Sequence, residues 1–338
     1  MVAVASSDAI PWQGEPMMRR RWFTRGLACG LLAAPLSAFA QPTARVHRIG
    51  TLTTAWAANH PAVEGLRAGL TALGLREGRD VAFDHRYTQG DLGALPLAAA
   101  ALVASGVEVI FAQAENAALA AARTTRTLPI VFANVGDPVA SGLVRELGHP
   151  GGNVTGVSNL ATELVPKRLE ILKSLVPSLR RVWAVYDPTE APETQVAVSR
   201  AQQAARLLGL ELLVRPVSTA DAAARVIATI APGDAALAFE RATSVNIAPQ
   251  LIESHVLTVF GSAFWLDHGG VVAYGADYHA VGAQAARLVA KVLAGTHPRD
   301  IPVEGANRIQ LVINLKAAKA LGLAIPQSLL LRADEVIR

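Results

Sequence analysis

The chain has 338 residues, of which 51% are apolar and only 17% charged. That length supports two packed cores, and the composition excludes a disordered or coiled-coil chain. Its net charge is +4, four arginines against two acids lie in residues 1–40, and the +2 that remains is scattered among few aromatics, with no basic stripe for nucleic acid.

The N-terminus reads as a targeting segment. "MMRRRWFTRGLACGLLAAPLSAFAQ" has a basic start, an apolar run from Gly26 to Leu36, and Ala38-Phe39-Ala40 as a small-residue cleavage site. Arg20-Arg21-Trp22-Phe23 also has a twin-arginine look. Residues 1–40 are therefore expected to be a leader, with 17–40 the true signal, cleavage after Ala40 and a periplasmic destination. The apolar run is too short to span a bilayer. Cys29, the single cysteine, lies within the leader, so the mature chain has neither a disulfide nor a thiol nucleophile.

Beyond the leader, strand and helix patterns alternate. "VHRIGTL" (46–52) reads as a strand. Residues 61–73 read as a helix, with Val63, Leu66, Leu70 and Leu73 at helical spacing, Pro61 near the start and Gly74 after the end. Strands follow near 80–87, 107–112 and 129–133, separated by helices near 94–105 and 115–125. "PIVFANVGDPVASGLVRELGHPGGNVTGVSN" (129–159) continues as a buried strand, a polar break, a short helix and a Gly-rich connection at 150–153. The second half repeats the rhythm, with strands near 181–186, 211–217, 235–239 and 256–260 and helices near 193–208, 219–230 and 245–254. A helix at 279–294 carries Val281, Leu288, Val289 and Val292; a strand at 308–314 and a helix at 315–321 close the chain. Alternation of this kind predicts an α/β protein of two Rossmann-like lobes, each a parallel sheet covered by helices. With no linker between the halves, several chain crossings are expected to join them.

In such sheets, ligands sit outside the carboxyl ends of the strands, at helix N-termini. Those positions in this chain hold Thr54, Trp56, Gln113, Glu115, Asn116, Asn134, Asp137, Tyr186, Glu240, Phe264 and Asp277. Each has a plainer alternative. Asp137 before Pro138 is a helix cap or an acid facing a ligand amine. Asn116 is a cap or helps exposed amides hold a carboxylate. Glu115 is solvent-exposed or meets a cation, and Glu240 pairs with Arg241 or with a ligand. Trp56 and Phe264 stack on a ligand or serve as lids. Trp183 reads as core; His60 and Asp187, each beside a proline, read as turn and cap residues.

Common catalytic signatures are missing. The eight histidines form no H-x-x-x-H pair, "FGSAF" (260–264) is not a G-x-S-x-G elbow, and no Walker A motif occurs. "GHPGGN" (148–153) lacks G-x-G-x-x-G spacing and reads as a tight connection in which glycine supplies positive φ.

Three long blocks carry a family resemblance: "PIVFANVGDPVASGLV" with "HPGGNVTG" (129–156), "YGADYHAVGAQAARLVAKVLAGTHPRDIPVE" (274–304) and "LVINLKAAKALGLAIPQSLLLRADEVI" (311–337). From about residue 45 to the end the chain resembles ABC-transporter substrate-binding proteins of the type I periplasmic binding-protein fold, in the branch of tryptophan- and tyrosine-type receptors. The resemblance implies a receptor whose two lobes close on a small solute by hinge motion and which then docks on a membrane permease; with no catalytic signature, neither enzymatic activity nor a cofactor is expected, and a monomer is the default. The resemblance also implies one lobe of about 45–157 with 278–309 and another of 158–277 with 310–338. Ligand positions carry over to 53–56, 113–116, 134–137, 186, 240, 261–264 and 277. Family members commonly have Gly, Thr and Pro where this chain has Gln113-Ala114-Glu115-Asn116, and "FERATS" (239–244) is unusually charged. The two extra acids point to an amine or other cationic group on the ligand. A ligand sensor acting on a membrane receptor uses the same fold; an exported enzyme would need a nucleophile–base pair in the cleft.

Overall fold

Short strands buried along their whole length, such as VIFAQ, IVFANV and AALA, need cover on both faces, and the alternating helices supply it. A computed structural model describes residues 45–55, 59–188, 192–239 and 247–338. The first half runs β1 (His47–Thr53), α1 (Pro61–Ala72), β2 (Val81–Tyr87), α2 (Leu95–Ala104), β3 (Val109–Gln113), α3 (Glu115–Thr124), β4 (Ile130–Val135) and β5 (Val154–Ser158). The second runs α4 (Val165–Leu175), β6 (Arg181–Tyr186), α5 (Pro192–Leu207), β7 (Glu211–Pro216), α6 (Ala220–Ile227), β8 (Ala235–Ala238), α7 (Ile247–Glu253), β9 (Leu257–Phe260) and β10 (Val272–Ala276). Then come α8 (Tyr278–Leu293), β11 (Glu304–Gly305), β12 (Ile309–Asn314), α9 (Leu315–Ala320), α10 (Gln327–Leu330) and β13 (Glu335–Ile337).

The strands form two sheets, ordered β11-β5-β4-β3-β1-β2 and β13-β12-β10-β9-β8-β6-β7. This is the two-lobed α/β class expected from the alternation. The first sheet is parallel throughout; the second has one antiparallel pair, β10 with β12. The exception follows from connectivity. The chain leaves the second sheet after β10, adds α8 and β11 to the first, and returns as β12 from the opposite direction. It also crosses from the first sheet to the second after β5.

Six elements of this frame are not predicted by the patterning: β5, α4, β10, β11, α10 and β13. The helix expected after Pro138 does not form; residues 138–142 are turns. The Gly-rich connection behaves as expected, with Gly151 at φ 84° and Asn153 donating to the carbonyls of Thr125 and Leu128.

One contact sets the position of the first sheet's outer wall. Helices α1 and α8 meet through Gly65, Gly69 and Gly282, so closely that a Cβ on Gly65 would lie 1.9 Å from the His279 carbonyl oxygen. At its start α8 carries Tyr278, whose ring stacks 5.9 Å from that of His60, the residue capping α1.

Candidate functional site

The carboxyl ends of the first sheet converge. Thr53 closes β1 and its Oγ1 donates to Gln113 Oε1 at 3.0 Å, at the end of β3. Ala114 follows with φ 67° and ψ 161°, a conformation open almost only to glycine, and α3 begins directly after it. The Ala114 N–H donates to the Ala133 carbonyl at 2.9 Å, which holds the start of α3 beside β4. There the pairing with β5 slips between Ala133 and Val135, and Asn134 takes the left-handed conformation at φ 60°. Leu160, just past β5, is also left-handed at φ 59°. Two of these three residues, Ala114 and Asn134, and both chain neighbours of Leu160 border one place, as strain at binding sites often does.

That place is a cavity of about 150 Å³. Thr54, Gln113, Glu115, Asn116 and Asn134 line it from the first sheet. Val165 and Arg168 of α4, Thr194 and Ala197 of α5, and Phe239 after β8 line it from the second; Asn159, Thr162 and Tyr278 complete the wall. Amides and hydroxyls dominate, with Glu115 and Arg168 as the ionic groups. Glu115 is not in solvent, its plainer alternative; only 2% of it is exposed. Arg168 is 1% exposed, and its Nε donates to the Tyr274 carbonyl at 2.8 Å, tying α4 to β10. Asn134 is 6% exposed, and neither Nδ2 nor Oδ1 has a hydrogen-bond partner among the described residues.

Other expected site residues lie elsewhere. The Asp137 carboxylate accepts from the N–H groups of Val139 and Ala140 and so caps a turn; with no helix there, the helix-cap alternative gives way to a turn cap. Tyr186 is buried in the second core, edge-on to Phe239 at 6.3 Å, and does not line the cavity. Phe264 is 56% exposed on a 3-10 turn, packed against Trp265 and His268, also outside the lining. Asp277 caps α8 through Ala280 N–H at 3.0 Å and pairs with Arg308 at 3.4 Å. Trp56 and Glu240 lie outside the described residues. Sequence reasoning missed Arg168, although it occupies the apolar face of α4 with Val165, Leu169 and Leu172, where a lone cation is conspicuous.

Ala114 carries a cost that can be measured. Ala114→Gly is expected to relieve strain of about 1–3 kcal/mol, less about 0.5–1 kcal/mol of added chain entropy, and to raise Tm by a few degrees in calorimetry. His60 offers a pH test. Burial pushes its pKa down to about 4 from 6.5. Between those values the unfolded chain binds the proton and the folded chain does not, so stability falls as pH drops through this window, by on the order of 3 kcal/mol in total. Asn is itself a good cap, so His60→Asn is expected to flatten that part of the pH–stability curve, at a pH-independent cost from the lost stack on Tyr278.

Among the described residues no cluster of His, Cys, Asp and Glu could hold a metal, and no helix is long and apolar enough to cross a membrane. Residues 56–337 match the family model for an ABC transporter substrate binding protein. A tyrosine-binding protein of Clostridioides difficile is 26% identical over 275 residues, 78% of each chain. Among solved structures, a conserved domain protein of Vibrio cholerae is 28% identical with a TM-score of 0.77, over 86% of this chain and all of that one. An ABC domain from Streptococcus pneumoniae in complex with L-Trp is 27% identical with a TM-score of 0.75, over 87% of this chain and all of that one.

Proposed function

This chain belongs to the ABC transporter substrate-binding protein family, whose members bind substrates and are not enzymes, and from that premise we propose that it is an exported receptor for an amino acid. It holds the ligand in the cavity between the two sheets and delivers it to a membrane permease. The observation that carries this reading is the cavity's construction: strand ends and helix starts from both sheets meet on one small polar space. Of the expected ligand residues, Thr54, Gln113, Glu115, Asn116 and Asn134 are the ones that take part. The described lining offers both charges a zwitterion requires, and Phe239 and Tyr278 add apolar area for a side chain. The relatives that bind tyrosine and tryptophan favour an aromatic one. Segments 45–157 with 278–309 form one jaw and 158–277 with 310–338 the other, closing by bending at the three crossings.

A thermal-shift screen against the twenty amino acids tests the binding reading. A ligand at about 100 times its Kd stabilises by roughly 2.7 kcal/mol, a readily visible shift. No shift with any amino acid would overturn it. Export is tested separately: N-terminal sequencing of the protein from the periplasmic fraction is expected to begin at Gln41.

A further inference from the structure

We propose that Asn134 reads the ligand's head group, its Oδ1 accepting from an α-ammonium and its Nδ2 donating to the adjacent carboxylate, an inference that rests on the amino-acid reading of the cavity. A left-handed backbone alone explains why Asn is tolerated at φ 60°. It does not explain the side chain. Buried amides in folded proteins are almost always hydrogen-bonded, because a lone one keeps its desolvation cost with no return. Here a donor and an acceptor, both buried and both without a partner among the described residues, sit side by side in a cavity wall.

A fixed amide of this kind is complementary to a ligand that presents an acceptor and a donor on neighbouring atoms, as the head group of an α-amino acid does. The surroundings fit both ends. The first turn of the ten-residue helix α3 starts one hydrogen bond away, through Ala114 N–H to Ala133, and helix N-termini favour carboxylates. The buried Glu115 carboxylate in the same wall favours the ammonium, and the acceptor of neighbouring Gln113 is already engaged by Thr53. The slip in β4 pairing is what aims Asn134 this way, since a regular strand would alternate it to the other side.

The test is isothermal titration of the purified protein with three matched probes: L-tyrosine, tyramine, which lacks the carboxylate, and 3-(4-hydroxyphenyl)propionate, which lacks the ammonium. The corresponding tryptophan set follows. The wild type is expected to lose at least about a hundredfold in affinity for either truncated probe. Asn134→Gly keeps the left-handed backbone and removes the amide; it is expected to weaken L-tyrosine about 10- to 100-fold and to shrink the penalty for both truncations. Asn134→Asp keeps an acceptor and loses the donors, so tyramine is expected to gain on L-tyrosine relative to wild type. Melting curves establish that each variant is folded, and Asn134→Asp carries the test alone if the glycine variant is not. L-tyrosine affinity and discrimination within about twofold of wild type in the folded variants would overturn the role of Asn134 and leave the receptor reading standing. Failure of the wild type to bind any amino acid would instead overturn that reading.

Discussion

Arg168→Met is expected to lower amino-acid affinity by about a hundredfold or more and to destabilise the ligand-free protein by about 1.5–3 kcal/mol. The two effects have separate causes. Arg168 Nε donates to the Tyr274 carbonyl, a charge-assisted bond between a helix and a strand with almost no access to water, and methionine leaves that carbonyl unsatisfied. The guanidinium also lines the cavity, where a planar cation favours a ligand carboxylate. Arg168→Lys keeps the charge but not the planar fork, so stability is expected to be partly restored and affinity to remain low. Calorimetric melting without ligand and titration with L-tyrosine measure the two effects independently. An unchanged Tm together with unchanged affinity would remove Arg168 from both roles.

Much of the fold was legible because its strands are apolar runs punctuated by helix caps and glycines. VIFAQ and IVFANV, short β-branched and aromatic runs bounded by polar breaks, read as buried strands, and the 3.6-residue pattern of Val281, Leu288, Val289 and Val292 reads as a packed helix. Two of the elements that escaped, α4 and β10, share a cause. In α4 the apolar face is interrupted by Arg168, whose cost is offset in part by the Tyr274 carbonyl, which lies far along the chain. In β10 the run VAYGA is short, and Gly275 is needed because the Gly261 carbonyl would lie 1.7 Å from a Cβ there. Both depend on long-range neighbours that local patterning does not see.

For the candidate site, strand-end geometry picks out Thr54, Gln113, Glu115, Asn116 and Asn134, which line one space because parallel sheets fix where their loops emerge. It did not distinguish these from Asp137 and Asp277, which stand at similar positions but spend their carboxylates on backbone N–H groups. That choice depends on local turn geometry, and the sequence shows only that both acids precede a potential cap site. Nor does a sequence show that Asn134 sits at a slip in register, which is what turns an ordinary strand residue into a cavity residue.

Gly282→Ala is expected to destabilise the protein by about 3 kcal/mol or more, although alanine is the better helix former by about 1 kcal/mol. The reversal of sign is the informative part. A Cβ at position 282 would lie 1.9 Å from the Ala62 carbonyl oxygen, and one at Gly65 equally close to that of His279, so α1 and α8 touch backbone to backbone. A carbonyl within a helix cannot yield as a side chain does; the helices must part. Parting them also displaces Tyr278 from His60 at the cavity edge, so affinity for L-tyrosine is expected to fall with stability. Gly152→Ala, with no atom within 4 Å of the added carbon, is the control and is expected to melt with the wild type. Because Gly65 and Gly282 serve the same approach, the double variant is expected to cost less than the sum of the singles, the first separation having relieved the second clash. A Gly282→Ala protein that melts at or above the wild-type temperature would mean that α1 and α8 stand further apart than their glycines imply.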